Sequence, residues 1–375
     1  MPPSAQPAGR LASLDILRGF DLFMLVFFQP VFMAFAGCSD AAWTAPIVRQ
    51  FTHVQWEGFH AWDLVMPLFL FMAGVSMPFA LSKYTEKGED RKPLYRRIAR
   101  RVVLLWVLGG IVQGNFLGFD PDRIYLYSNT LQAIAAGYLI AALVQLNLND
   151  RGLLWATAAL FVAYWLPMTL NGDWTPDGNL AEAIDRAVLG RFRDGASPNG
   201  DGTWTPAPWY HYTWIWSSLN FGVTVLLGVM AGKIMRRFNA ERCRAVIGLA
   251  TGGAALTVAG LLLSLQMPII KTIWSSSMTL FSGGLCFLLM ALFYYIIDYR
   301  GCARGLGWLR IYGMNSIAAY VLGEAINFRS IARSLCYGME PWFGDCYGAW
   351  LTFVNFLIVF FILRCMYRCG VFLKV

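Results

Sequence analysis

The stretch HVQWEGFHAWDLVMPLFLFMAGVS, residues 53–76, is the strongest indication in the sequence of how the chain folds. It places His53, His60 and Asp63 immediately before and inside an apolar run, from about residue 61 to residue 81, that is long enough to cross a bilayer as one helix. On such a helix His60 and Asp63 lie about one turn apart on the same face. Ionisable groups are costly in lipid, so we expect this face to point into the protein.

The composition is that of a membrane protein. Of the 375 residues, 57% are hydrophobic and 14% are charged, whereas a typical soluble domain is about 25% charged. The mean hydropathy is +0.51. Apolar runs of spanning length lie near residues 16–38, 59–82, 98–118, 128–147, 152–170, 213–234, 244–265, 273–297, 309–328 and 347–366. The sequence therefore predicts one all-α, polytopic membrane domain over residues 1–375 with about ten transmembrane helices.

Basic residues indicate on which side of the membrane each loop lies. The net charge is +8, and Lys and Arg concentrate in alternate loops, within residues 83–101, 233–244, 300–310 and 364–374. The positive-inside rule makes these loops and both termini cytoplasmic. The charge thus orients the chain, and no nucleic-acid partner is expected. The first ten residues lack an apolar segment with a cleavage site, so no cleaved signal peptide is expected either.

The loop from residue 171 to residue 211 is the largest polar segment and faces outward by the same rule. At about forty residues it is too short for a separate domain, so we expect a lid or rim over a site between the helices. Its segment EAIDRAVLGRFRDG predicts a short amphipathic helix. The aromatic residues at its end fit an interfacial belt, with sugar stacking as the alternative. Cys336 and Cys346 both fall in the last outward loop, where they could form a disulfide if the compartment is oxidising.

Further polar side chains occur in or beside other spans. Arg18 either forms an ion pair with Asp15 or belongs to a cytoplasmic mouth that receives an anion. The RRIARR run at residues 96–101 fits membrane topology, with an anionic cofactor as the alternative. Lys271, at the outer start of a span, fits a snorkelling lysine. Glu324 lies inside a span, which indicates a functional role, with a structural hydrogen bond to a neighbouring helix as the alternative.

Motifs for phosphate, dinucleotide or zinc binding, and nucleophile elbows, do not occur in the sequence. The residues alone therefore predict a helical membrane protein with a polar interior. Both a transporter and a membrane enzyme fit this description.

Several blocks, in order along the chain, resemble one family. They read RLASLDILRGF, HVQWEGFHAWDLVMPLFLFMAGVS, AIDRAVLG, LLGVMAGKI, KTIWSSSM, YGMNSIAAYV and FLKV. In them the chain resembles the heparan-alpha-glucosaminide N-acetyltransferase family and its bacterial homologues. The resemblance implies an acetyl-CoA-dependent N-acetyltransferase of the bacterial inner membrane, which moves acetyl from cytoplasmic acetyl-CoA to an amino sugar or glycan outside. It implies no metal and leaves a homo-oligomer open.

The chain departs from the family pattern at three places. The family's Asp-Pro-Glu-Gly before the sixth span is residues 211–214, His-Tyr-Thr-Trp, in this chain. Ala133 replaces an arginine in the fourth span, and Gly323 replaces a histidine in the ninth. These changes cluster where an acceptor sugar would be handled, so the resemblance leaves the acceptor open.

The resemblance also suggests which residues act. His53 stands at the position of the family's active-site histidine, and Gln29 stands where many relatives have an asparagine. Because acetyl-CoA is already a thioester, transfer needs a base for the attacking proton and donors for the oxyanion, but no enzyme nucleophile. We therefore expect His53 to be the base and Asp63 to orient it, and an acetyl-histidine route ranks second.

The predicted site residues form three groups. They are catalytic His53, Asp63 and Gln29, cofactor-binding Arg18, Arg310, Asn315 and Ser316, and substrate-binding Trp56, His60, Lys271 and Glu324. Guanidinium groups hold phosphates in bidentate fashion, which is why arginines are placed with the cofactor.

Three other interpretations compete with this one. His53 could be an interfacial histidine with a structural role beside Trp56. The same polar groups suit a transporter or flippase of a polar envelope precursor. They also suit an O-acyltransferase of envelope polysaccharide.

Overall fold

Long apolar helices make up most of the chain, as the sequence predicts. The computed structural model describes residues 11–38, 43–82, 84 and 91–373. In chain order its helices are α1 (Ala12–Ala36), α2 (Ala61–Ala80), α3 (Lys92–Val112), α4 (Thr130–Asn147), α5 (Asp150–Asn171), α6 (Leu180–Leu189), α7 (Ser218–Arg237), α8 (Arg242–Leu263), α9 (Ser276–Tyr299), α10 (Leu309–Met314), α11 (Ser316–Ala325), α12 (Arg329–Leu335) and α13 (Tyr347–Arg368). Shorter helices and 3-10 turns occupy Thr44–Gln50, Phe116–Gly118, Pro121–Arg123, Gly190–Phe192, Tyr337–Met339, Glu340–Phe343 and Gly344–Cys346, and π turns occur at Met24–Phe28 and Tyr294–Tyr299.

Eight of the helices in the described ranges are long and apolar enough to cross a membrane, namely α1, α2, α4, α5, α7, α8, α9 and the helix that ends with α13. They coincide with eight of the predicted spans. The span predicted near 98–118 falls on α3, whose first half carries five basic residues. The span predicted near 309–328 is divided into α10 and α11 at Asn315, whose φ of −119° and ψ of 41° are not helical. The all-α class is confirmed, while the number of spans and the cytoplasmic termini stay predictions.

Helices α2 and α7 form the centre of the bundle, where most of their residues are buried. Their backbones touch at glycines. A Cβ atom on Gly74 would lie 1.9 Å from the carbonyl oxygen of Val225, and one on Gly228 would lie 2.0 Å from that of Phe71. Such distances leave no room for a side chain unless the backbones move apart, so the GxxxG formed by Gly228 and Gly232 allows the two helices to pack closely.

The segment between α5 and α7 is ordered and anchored to the start of α7. It contains α6, which is the predicted amphipathic helix, and an antiparallel pair of strands, β1 (Ser197–Pro198) and β2 (Trp204–Thr205). Asp185 on α6 accepts the backbone N–H groups of Trp214 at 2.7 Å and Ile215 at 3.0 Å. Buried Glu182 and Arg193 form an ion pair within the segment. Its role as a lid or rim stays a prediction.

The segment between α11 and α13 consists of short helices. Cys336 is buried there with Ala332 and Leu351. Cys336 and Cys346 are both free thiols, so the disulfide that the sequence left open is not formed.

Candidate active site

The loop that precedes α2 folds around Asp63, which is fully buried. The Oδ2 atom of Asp63 accepts the backbone N–H of His60 at 2.9 Å, and Nδ1 of His53 donates to Oδ1 at 2.7 Å. The ring of His60 in turn donates from Nδ1 to the carbonyl oxygen of Thr52 at 2.9 Å. A carboxylate in the first turn of a helix is favoured by the exposed N–H groups there. One carboxylate therefore fixes both histidines, and His60 supports the loop.

A lysine far away in the sequence completes this group. Lys271, in the loop between α8 and α9, places its Nζ atom 2.9 Å from Nδ1 and 3.1 Å from Nε2 of His53. The same Nζ atom is 3.6 Å from Oδ1 of Asp63, and the lysine side chain is 10% exposed. The loop is tied to the His53 loop because Gly58 donates its N–H to the carbonyl oxygen of Ile269 at 2.9 Å.

The surroundings set the protonation states of these groups. Since a carboxylate only accepts hydrogen bonds, Nδ1 of His53 carries the proton, which leaves Nε2 as the acceptor of the ring. Burial lowers the pKa of His53; the hydrogen bond with Asp63 opposes this effect, and the charge of Lys271 adds to it. Burial also lowers the pKa of Lys271 to about 8, against the attraction of Asp63. At neutral pH a neutral imidazole therefore lies beside an ammonium group.

His53 and Lys271 line a cavity of about 260 Å³, which we call the His53 cavity. Glu324 lines it as well, and its contact with substrate stays a prediction. Its other walls are Leu25, Trp62, Val65, Met66, Phe69, Gln113, Ser128, Thr130, Tyr210, Tyr212, Trp214 and Tyr320. The cavity thus combines a basic imidazole, one cation, one carboxylate and several aromatic rings, which is the lining expected of a site for a polar ligand.

Two of the predicted residues lie near His53 but not in the cavity wall. Gln29 donates from Nε2 to the carbonyl oxygen of Phe51 at 3.2 Å, so it braces the His53 loop. Trp56 donates from Nε1 to the carbonyl oxygen of Trp174 at 2.8 Å and packs edge-on against His211. Trp56 therefore joins the loop to the segment between α5 and α7.

A second cavity, of about 260 Å³, lies against the first, and we call it the Arg18 cavity. Of the residues predicted to bind the cofactor, Arg18 and Ser316 line it. Asn315 is fully buried at the break before α11; its Oδ1 atom accepts the N–H of Leu373 at 3.2 Å, and its Nδ2 atom has no hydrogen-bond partner among the described residues. Arg310 is not among the lining residues.

The two cavities meet at three shared side chains, Phe69, Thr130 and Tyr320. The hydroxyl of Tyr320 accepts a hydrogen bond from Nδ2 of Asn129 at 3.2 Å. A ligand that occupied both cavities would pass between these side chains.

Two residues of the second cavity, Arg101 and Tyr320, were not among the predicted site residues, although the run at residues 96–101 left an anionic cofactor open as the alternative. Arg101 ends the RRIARR run, and its guanidinium lies 4.3 Å from the ring centroid of Tyr138. Its spacing of four residues from buried Leu105 places it on the inner face of α3, a signal that the sequence contained. Tyr320 follows Ser316 by one turn of α11, so the same face could have been extended to it.

One set of potential metal ligands occurs in the described residues, formed by Asp177, Glu182 and His211, whose ligand atoms lie within 4.8 Å of one another. Arg186 donates to both carboxylates at 2.7 Å, and Arg193 pairs with Glu182 as well. Because these guanidinium groups already neutralise the carboxylates, the set fits an ion-pair network better than a cation site.

Comparison with known proteins agrees with the resemblance seen in the sequence. Residues 10–181 match the family model described as heparan-alpha-glucosaminide N-acetyltransferase, catalytic. The chain is 25% identical to the human heparan-alpha-glucosaminide N-acetyltransferase over 363 residues, which cover 83% of this chain and 52% of the human protein. It is 24% identical to the mouse protein of the same name over 370 residues, covering 85% and 54%. The chain spans about half the length of these relatives, and its resemblance to the family is confirmed.

Proposed function

We propose that this protein, which resembles the heparan-alpha-glucosaminide N-acetyltransferases, transfers an acetyl group from acetyl-CoA to the amine of an amino sugar or glycan, with His53 as general base. The observation that carries the proposal is the group formed by His53, Asp63 and Lys271 in the wall of a cavity. That cavity abuts a second one with two arginines in its wall, as a long anionic acyl donor requires.

The Arg18 cavity suits the phosphates of coenzyme A. Arg18 and Arg101 line it, and guanidinium groups form bidentate hydrogen bonds with phosphate oxygens. The N-terminus of α11, which begins at Ser316, adds unpaired N–H groups at the same wall. The pantetheine arm would then pass Phe69 and Tyr320 into the His53 cavity.

The reaction follows from the protonation states. The neutral amine of the acceptor attacks the thioester carbonyl while Nε2 of His53 takes the proton that the nitrogen loses. A carbon–nitrogen bond forms, the carbon–sulfur bond breaks, and the departing thiolate recovers a proton from the imidazolium. Asp63 stabilises that imidazolium through the hydrogen bond at 2.7 Å. Direct transfer needs no acetylated side chain.

Lys271 has a more direct part in this scheme than the substrate binding predicted from the sequence. It is the only cationic side chain among the described residues that line the His53 cavity. Its Nζ atom lies 2.9 Å from Nδ1 and 3.1 Å from Nε2 of His53, so the ammonium is next to the place where the amine of the substrate would meet the ring. Once displaced, the ammonium can donate to the oxyanion that forms on the thioester carbonyl.

Purified protein in lipid nanodiscs, supplied with acetyl-labelled acetyl-CoA and glucosamine, tests the proposal. We expect label in an amide product, and a loss of that product in His53→Ala. A transporter would move the sugar without forming any acetylated product. An O-acyltransferase would form an ester, which hydroxylamine cleaves under mild conditions whereas an amide survives. Either of these two results would overturn the proposed function.

A further inference from the structure

A third cavity, of about 280 Å³, lies between the end of α11 and the middle of α13, and we call it the Asn355 cavity. Glu324 lines both this cavity and the His53 cavity. The remaining polar side chains in its wall are Asn327, Arg329, Thr352 and Asn355. The Asn355 cavity and the His53 cavity therefore adjoin at Glu324.

The side chain of Asn355 indicates that this cavity can bind a ligand. It lies on α13 eight residues after Tyr347, so it is about 12 Å along a membrane-spanning helix. The side chain is 9% exposed, and its Oδ1 atom has no hydrogen-bond partner among the described residues. A buried polar atom without a partner costs free energy, and polar side chains inside spans are mostly functional. The hydroxyl groups of a sugar are donors of the kind that Oδ1 needs.

The charges in the wall indicate what kind of sugar would fit. Glu324, which also lines the His53 cavity, can attract an ammonium group or accept hydrogen bonds from hydroxyl groups. Arg329, at the start of α12, lines the Asn355 cavity but not the His53 cavity. Within the described residues its guanidinium meets the carbonyl oxygen of Gly348 at 3.5 Å, and no ion pair involves it. A guanidinium so placed can bind an oxyanion in bidentate fashion.

We propose that the Asn355 cavity is the distal part of the acceptor site and that it selects amino sugars carrying a phosphate or sulfate group away from the amine. This inference rests on the proposed function. In it the amine lies at His53, ring hydroxyls bond to Glu324 and Asn355, and the anionic group bonds to Arg329. The acceptor thus reaches the catalytic group between α11 and α13, apart from the Arg18 cavity.

The test compares glucosamine with glucosamine 6-phosphate and glucosamine 6-sulfate as acceptors for the wild-type protein and for Arg329→Gln. We expect the wild type to have the higher kcat/KM with the anionic acceptors. Arg329→Gln should reduce that kcat/KM roughly ten- to a hundredfold, as expected for loss of a charge-assisted hydrogen bond. Its kcat/KM with glucosamine should change less than about twofold, and so should its KM for acetyl-CoA. Arg333→Gln is the matched control, because Arg333 lies one turn later on α12, is exposed and does not line the cavity.

Asn355→Leu is a second, independent variant. It should raise the KM of charged and uncharged acceptors alike, because the amide contacts ring hydroxyls, and should leave the KM for acetyl-CoA unchanged. A wild type that acetylates glucosamine without preferring the anionic acceptors would overturn this inference alone. Absence of any amide product with all three acceptors would overturn the proposed function together with it.

The oxyanion at Arg329 could instead belong to a phospholipid headgroup. Nanodiscs of phosphatidylcholine, with and without phosphatidylglycerol, distinguish the two sources. The acceptor proposal predicts the same preference for anionic acceptors in both. A dependence of glucosamine acetylation on phosphatidylglycerol that Arg329→Gln abolishes would assign the arginine to lipid and contradict the proposal.

Discussion

Replacing Lys271 by methionine separates the two roles that the lysine could have. Methionine has a similar length and no charge, so the variant removes the ammonium that lies 3.1 Å from Nε2 of His53 and 3.6 Å from Asp63. If that ammonium stabilises the oxyanion, kcat should fall roughly a hundred- to a thousandfold, the usual effect of deleting one such donor. If it only binds the acceptor, KM should rise while kcat is unchanged.

The pH dependence gives a readout that a structural role would not produce. Lys271 has a pKa of about 8, so the ammonium is lost as the pH rises above that value and the rate of the wild type should decline there. Burial lowers the pKa of His53 below its ordinary value, so the neutral base is lost only under acidic conditions. The wild type should therefore show a bell-shaped profile of kcat against pH.

In Lys271→Met the alkaline limb of that profile should disappear. The acidic limb should move to higher pH, because removal of the lysine charge raises the pKa of His53. Lys271→Arg is the matched control, since a guanidinium stays charged throughout this range and should retain part of kcat without the alkaline limb. An unchanged kcat and an unchanged profile in folded Lys271→Met would refute the assignment of the lysine to catalysis.

Three further substitutions test other parts of the account. Asp63→Asn should lower kcat roughly a hundred- to ten-thousandfold while acetyl-CoA binding persists, because an amide no longer fixes the tautomer of His53; normal turnover, measured with labelled acetyl-CoA, would contradict this. Arg101→Gln should raise the KM for acetyl-CoA about tenfold and reduce the salt dependence of that KM, as measured by titration at two ionic strengths. An unchanged KM would indicate that the arginine contributes only to membrane topology. Gly228→Ala should cost about 1–3 kcal/mol, seen as a lower Tm, since its Cβ would lie 2.0 Å from the carbonyl oxygen of Phe71. Gly200→Ala, with nothing within 4 Å of the new Cβ, should leave the Tm unchanged.

The membrane fold and the relation between His53 and Asp63 were accessible from the sequence because both depend on local patterns. Apolar runs of spanning length predicted the helices, and the ten residues that separate His53 from Asp63 fall in one loop and one helical turn. The break at Asn315 was harder to foresee. An amide inside an apolar run hints at it, but the run remains long enough to be predicted as one span.

The sequence assigned Lys271 to substrate binding, but its contact with His53 could not be predicted, because 218 residues separate the two. Its place depends on the loop between α8 and α9, which pairs through Ile269 with Gly58. Trp56 shows the opposite case. Its closeness to His53 in the sequence suggested contact with the substrate. Its indole instead donates a hydrogen bond to the carbonyl oxygen of Trp174. The three cavities likewise arise from helices that are distant in the sequence, so their linings are tertiary properties.

The proposed mechanism depends on His53 as the base, and the most direct test is turnover per folded molecule in His53→Ala, with acetyl-CoA affinity measured on the same preparation. We expect a rate roughly a hundred- to ten-thousandfold below that of the wild type, with acetyl-CoA affinity retained. His211→Ala is the matched control, because His211 packs against Trp56 and does not line the His53 cavity, and it should keep its turnover. Near-normal turnover in folded His53→Ala would contradict the catalytic assignment and the mechanism built on it.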